Sequence, residues 1–145
     1  MDDPERGSAA LEFIVVGLIL LVPLVYLVLA LGLIQGQALG VEAGARHIAR
    51  AVSLATDADS ARVTAARVLD SLVDEYGFDA DSVHLDLSCA PAGAFCPQAG
   101  ATLIVKVRTT VTLPLVPPVL GLDRLASIPI EASSAQKVSR FWGTG

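Results

Sequence analysis

Charged and aromatic residues are scarce in this chain of 145 residues, since Asp, Glu, Lys and Arg make up 17% of it and Phe, Trp and Tyr only 5%. Average soluble chains carry about a quarter charged residues. Hydrophobic residues reach 53%, a fraction that excludes intrinsic disorder as the main state. The 10 basic residues are outnumbered by 15 acidic ones, and a net charge of -5 excludes a nucleic-acid-binding surface.

Histidine and cysteine are also rare, with 2 of each. Neither His47 nor His84 has the spacing to the cysteines that a zinc site needs, so we expect no metal site. The sequence shows no Ser/His/Asp set, no paired acids of catalytic type and no glycine-rich phosphate loop. We therefore expect that the chain is not an enzyme and uses no cofactor.

The hydrophobic residues are concentrated near the N-terminus. Residues 13–41 include no Asp, Glu, Lys, Arg or His, and about 20 apolar residues are enough to cross a bilayer. A chain of this size could hardly surround a helix that is apolar on every side, which favours a transmembrane helix over residues 8–35 rather than a buried core helix. The run is longer than a signal-peptide core and its flank MDDPER is acidic, so we expect the segment to be retained.

The two cysteines, Cys89 and Cys96, both follow the apolar run. A cysteine pair in a small domain predicts a disulfide in an oxidising compartment; two free buried thiols are the alternative. We therefore expect a single-pass protein of the cytoplasmic membrane, with its N-terminus inside and residues 36–145 exported.

The exported part has the patterns of a small α+β head. Apolar residues at helical spacing over 38–55 extend the first helix, and Thr56 with Asp59 predicts the start of a second helix that ends before Gly77. Three alternating runs predict a three-stranded antiparallel sheet, and Pro129 places the third strand at its edge. These runs are residues 83–89, 102–113 and 127–134. The cysteines are expected to staple the base of the long loop between the first two strands.

Glu12 lies at the start of the apolar run, where an acidic residue either reaches the lipid headgroups or has a function. Residues 6–13, Arg-Gly-Ser-Ala-Ala-Leu-Glu-Phe, followed by a long apolar helix, resemble the leader of prepilins. In that class a prepilin peptidase cuts after the glycine, and a glutamate is the fifth residue of the mature chain. Here the cut would fall between Gly7 and Ser8, and Glu12 would be fifth. Phe13 after the glutamate fits the tight-adherence (Tad) branch, and the chain resembles its TadE-like minor pilins, or pseudopilins.

The resemblance implies a structural or assembly component of a Tad-type type IV pilus, with a leader over residues 1–7. Its partners would be the prepilin peptidase, the major pilin, other minor pilins, the membrane assembly platform and the lipid bilayer. The Glu12 carboxylate could pair with the Ser8 amine of the next subunit or of its own helix, because an isolated buried ammonium is costly. The alternatives are an uncleaved, membrane-anchored exported domain that binds a partner or ligand and, more remotely, an enzyme on a membrane stalk.

Four glycines recur at steps of four residues: Gly32, Gly36, Gly40 and Gly44. Each costs a helix about 1 kcal/mol relative to alanine, which close approach of a second helix would offset. We expect Gly32 and Gly36 to contact another subunit and Gly40 and Gly44 to pack within the head. The alternative is that the whole stripe packs within the head.

Two apolar segments near the C-terminus each have two interpretations. Residues 114–122, Pro-Leu-Val-Pro-Pro-Val-Leu-Gly-Leu, either form an exposed docking patch or cover the core of the head. Phe141 and Trp142 either form an exposed aromatic handle or pack on the sheet.

Overall fold

The structure, a computed structural model, describes residues 8–93, 95–114, 116, 121 and 126–144. Its elements, in chain order, are α1 Ser8–Ser53, α2 Ala58–Tyr76, a 3-10 helix Ala80–Ser82, and strands β1 His84–Ala90, β2 Thr102–Thr112 and β3 Ser127–Lys137. A long N-terminal helix, a second helix and a three-stranded antiparallel sheet confirm the predicted α+β fold. The chain divides into two compact units, one ending at Ile34 and the other beginning at Gln35.

The first helix ends at Ser53, two residues before the end of its predicted apolar stripe. The Ser53 hydroxyl donates to the Arg50 carbonyl at 2.8 Å, and the Ala55 N–H donates to the Val52 carbonyl at 3.2 Å. These bonds satisfy carbonyls of the last turn, which have no partner further along the helix. Local capping therefore ends the helix where the apolar spacing alone predicted continuation.

The second helix is capped by Asp57 rather than by the predicted Thr56. The Ser60 N–H donates to Asp57 Oδ1 at 2.8 Å, and the Asp57 N–H donates to Ser60 Oγ at 3.2 Å, which forms a reciprocal capping box. Thr56 instead donates its hydroxyl to Asp57 Oδ2 at 3.0 Å. A carboxylate accepts from the helix N-terminus more favourably than a hydroxyl does, which explains the shift by one residue. The predicted end is confirmed, because Gly77 is left-handed with φ 64° and caps α2.

The two helices pack through the glycines of α1. A Cβ atom on Gly40 would lie 2.6 Å from the Tyr76 ring, and one on Gly44 would lie 2.6 Å from Leu72 Cδ1. The two contacts pair an earlier α1 residue with a later α2 residue, so the helices run antiparallel. Gly40 and Gly44 thus pack within the head, as predicted.

The sheet has the order β1-β2-β3, with both pairs antiparallel and β3 at an edge as Pro129 predicted. One face of β2 is fully buried, and it carries the five residues that the alternation had placed together: Leu103, Val105, Val107, Thr109 and Val111. The Thr109 hydroxyl is satisfied by the Ser82 hydroxyl at 3.0 Å. The helices contribute Val41, Ala45, Ile48, Ala49, Val52, Ala61, Ala65 and Leu72 to the core, and Phe78 and Val138 join it from outside the helices and strands.

Strand β3 is longer than predicted, since it continues past residue 134 to Lys137. The extra residues are Ala135, Gln136 and Lys137, and they pair with Ile104, Leu103 and Thr102 at the start of β2. Backbone pairing to β2 extends the strand where its own side chains no longer alternate, because ladder hydrogen bonds do not depend on side-chain hydropathy.

We predict that Gly40→Ala destabilises the head by about 1–2 kcal/mol, because overpacking against the Tyr76 ring outweighs the gain in helix propensity. Gly36→Ala is the matched control: nothing lies within 4 Å of its Cβ position, so it should leave stability unchanged or raise it by up to about 1 kcal/mol. Thermal unfolding of both variants in detergent, followed by circular dichroism, measures the difference. Equal midpoints would contradict the close approach of α2 to Gly40.

Candidate functional site

The N-terminal part of α1 presents its large apolar side chains to the outside on all sides. Phe13 is 80% exposed and Leu20 is 67% exposed. The other large hydrophobic residues of this stretch share that exposure: Leu11, Ile14, Val15, Val16, Leu18, Ile19, Leu21, Val22, Leu24, Val25, Leu27, Val28, Leu29, Leu31 and Leu33. Water is an unfavourable neighbour for such a surface, at roughly 25 cal/mol per Å². Contact of this stretch with lipid or with other apolar side chains is therefore favoured over contact with water.

The length and composition of α1 meet the requirements for crossing a membrane. It is the one such helix among the described residues, with a mean hydropathy of 3.1 in its most apolar window and only 6% of that window buried. The low burial separates it from the core helix of a soluble protein. A signal sequence near the N-terminus also combines this hydropathy with low burial, so these properties define a candidate membrane span.

Glu12 lies on this exposed helix, one residue before Phe13, and both side chains are exposed. No described residue forms an ion pair with Glu12. Only one of the two residues at the predicted cleavage site is described. Ser8 begins α1, and Gly7 lies outside the described residues. The carboxylate is therefore exposed and without an ion-pair partner among the described residues.

Gly32 and Gly36 lie on α1 with open space beside them, since no atom of another element comes within 4 Å of either Cβ position. Gly40 and Gly44, one and two steps further along, are in close contact with α2. Two glycines of the stripe therefore contact another helix of the chain, and the other two have no such neighbour. The open pair leaves room for close approach of a helix from outside the chain.

The predicted disulfide is present: Cys89 and Cys96 are bonded, with their Cα atoms 5.6 Å apart. Cys89 lies in β1 and Cys96 in the connection to β2, whereas the cross-strand neighbour of Cys89 is Leu103. The bridge therefore closes the first part of the connection. The sequence had instead predicted that it would close the base of the whole hairpin loop. Both cysteines also pack against the core, so the bridge anchors this loop to the head.

The outer face of the sheet carries a charge cluster that the one-dimensional pattern did not reveal. Glu131 of β3 accepts from Arg108 Nε at 2.6 Å and lies 3.3 Å from the Lys106 ammonium, both on β2. These neighbours, first Lys106 and then Arg108, hold the pKa of the Glu131 carboxyl below its usual value. The pair Arg108–Glu131 is directly opposite in the strand register. The charge cluster can be identified only once the register of β2 and β3 is known.

The remaining sequence expectations have mixed outcomes. Phe141 is 81% exposed, whereas Trp142 is half-buried and packs against the core, so the two aromatics separate. Glu42 and Arg46, one turn apart on α1, form an ion pair at 2.8 Å. Most of the proline-rich segment 114–122 lies outside the described residues. Among residues the structure describes, no group of three or more His, Cys, Asp or Glu side chains could hold a metal ion.

No protein family, curated protein or solved structure matches this chain.

We predict that the Cys89–Cys96 bridge blocks alkylation of the unfolded, unreduced chain, so that mass analysis shows two added groups only after reduction. Closing so short a loop lowers the entropy of the unfolded chain, which raises the free energy of unfolding by roughly 2–3 kcal/mol. The double variant Cys89→Ser, Cys96→Ser should therefore unfold at a lower temperature than the wild type, as a reduced wild-type control also should. Labelling of both thiols in the denatured, unreduced chain would show that the bridge is absent.

Proposed function

We propose that this protein is a structural or assembly component of a Tad-type type IV pilus, a minor pilin or pseudopilin. It would be held in the cytoplasmic membrane with its head exported, cleaved by a prepilin peptidase after Gly7, and packed through α1 against the major pilin, other minor pilins and the assembly platform. One observation carries the proposal: α1 combines an exposed apolar surface with an unpaired acid, Glu12, at its start.

A plain membrane anchor needs the apolar surface but gains nothing from Glu12. An acid at the edge of the apolar run makes insertion less favourable, and each open glycine weakens the helix by about 1 kcal/mol. The loss of helix stability at Gly32 and Gly36 is offset when a neighbouring helix backbone approaches them closely. The cost of inserting Glu12 is offset when the packed helices supply a partner for its charge. The combination of Glu12 with the open glycines therefore favours a helix that assembles with others.

Cleavage after Gly7 would supply the missing partner of Glu12. The new Ser8 ammonium would lie four residues before Glu12, one helical turn away, or would face Glu12 of the next subunit. Among apolar neighbours an unpaired ammonium or carboxylate is strongly disfavoured, and pairing removes most of that cost. The carboxylate would thus make assembly depend on axial register, because a slipped helix leaves two charges unpaired.

We predict that expression with an active prepilin peptidase shortens the chain by the seven residues 1–7, with Ser8 as the new N-terminus. N-terminal mass analysis of membrane-extracted protein measures this. Cells that lack the peptidase are the control and should yield only the longer chain. Recovery of the uncleaved chain alone in peptidase-positive cells would favour the anchored exported domain instead.

We also predict that Glu12→Ala leaves insertion and cleavage intact but lowers the amount of chain recovered in fibres or assembly complexes by more than about tenfold. The reason is that an unpaired buried charge costs about 3–5 kcal/mol. Glu42→Ala removes an exposed acid paired with Arg46 and is the matched control, with no expected loss. Wild-type recovery of the Glu12→Ala chain in the assembly would falsify the charge-pair role.

A further inference from the structure

The folded unit, residues 35–144, carries free cations at one end. Arg50, Lys137 and Arg140 are exposed and form no ion pair with a described residue, whereas the other cations described in this unit, Arg67 excepted, are all paired. Leu54 and Phe141 lie among them, 75% and 81% exposed, and both border one shallow depression. We name these five residues the basic end.

The charges at the basic end surround the exposed leucine. Lys137 and Arg140 border Leu54 on one side, and Arg50 borders it on the other. The acids that follow Leu54 in the sequence are engaged: Asp57 accepts from the Ser60 N–H and the Thr56 hydroxyl, and Asp59 is paired with Arg62 at 3.2 Å. An apolar centre with a cationic rim is therefore available for contact.

The opposite end of the same unit carries exposed acids, of which Asp79 also accepts a hydrogen bond from the Asp81 N–H at 3.1 Å. We name as the acidic end five exposed carboxylates, none of which is paired with a described residue: Asp70, Asp74, Glu75, Asp79 and Asp81. They lie on the last turns of α2 and the 3-10 helix after it, at the level where Tyr76 packs on Gly40. Leu39, adjacent to Gly40, is 64% exposed there and adds an apolar centre.

The helical rise separates the two ends. Gly40 marks the acidic end on α1 and Leu54 marks the basic end, and fourteen residues of helix span about 21 Å. This exceeds the Debye length of about 8 Å at physiological ionic strength, so the two charges do not cancel within one molecule. The separation leaves each end able to attract the opposite end of a second molecule.

We propose that the basic end of one copy of this chain docks on the acidic end of another copy, in a head-to-tail contact between folded units. Charge complementarity selects this occupant: the basic end repels its own copy, and the acidic end does likewise, so a two-fold contact through either end is disfavoured. Leu54 and Phe141 would meet the apolar surface around Leu39. Because the two surfaces differ, the contact is heterologous and can continue from copy to copy.

The test uses two charge-reversed variants of the full chain in detergent, with self-association measured by analytical ultracentrifugation. Variant one is Lys137→Glu, Arg140→Glu, and variant two is Asp74→Lys, Glu75→Lys. Each alone should associate at least about tenfold more weakly than wild type, because like charges then face each other. Their mixture should recover association, since each variant keeps one native end and the reversed ends also complement each other.

A matched control and two further measurements decide the outcome. Arg67→Glu reverses an exposed, unpaired cation in the middle of α2 and should leave association unchanged. Raising NaCl from about 50 mM to about 500 mM should weaken the wild-type association severalfold, since exposed charges are screened. An unaffected single variant, or a mixture that stays dissociated although both variants retain the wild-type circular dichroism spectrum, overturns the proposal. So does a wild-type chain that stays monomeric and binds vesicles of anionic phospholipid through Lys137 and Arg140.

The head-to-tail contact is measured on the uncleaved chain and needs neither Gly7 cleavage nor Glu12. Its failure would leave the proposed pilin function untouched. Failure of cleavage would likewise leave the association of charge-swapped heads intact, so the two proposals can be distinguished.

Discussion

The uncovered apolar surface of α1 is the constraint on which the rest of the chain depends. Among the described residues of positions 11–33, the large aliphatic side chains are exposed, and a surface that large is unfavourable in water at roughly 25 cal/mol per Å². Contact with lipid or with other apolar side chains would remove this unfavourable exposure. The one charge that interrupts it, Glu12, then acquires a cost that a specific partner can relieve.

The glycine stripe shows how one repeated residue meets two environments. At Gly40 and Gly44 the missing side chains let Tyr76 and Leu72 approach the α1 backbone, and the core of the head forms around that contact. At Gly36 the same spacing faces open space. The sequence analysis predicted this division but could not derive it from spacing alone, because every step of four residues is equivalent until α2 is placed.

Local patterns predicted most of the fold because they reflect burial directly. The alternation in β2 identified its buried face, and Pro129 identified an edge strand. The errors lie where hydrogen bonds compete with hydropathy: Asp57 replaced Thr56 as the cap, and pairing with β2 lengthened β3. The Glu131 charge cluster was missed for a related reason, since its members are far apart in sequence and meet only through strand register.

The two proposals address different requirements of an assembling chain. Packing of apolar helices in a membrane is only weakly directional, because van der Waals contact and close approach of small residues accept both parallel and antiparallel neighbours. A folded unit with a basic end and an acidic end adds a constraint on end-to-end contacts: inverted copies would oppose like charges, and copies in the same orientation would oppose unlike ones. In the proposed assembly, charge separation in the head would therefore favour end-to-end contacts between copies of the same orientation, in addition to the register that the proposed Glu12–Ser8 pair would set along α1.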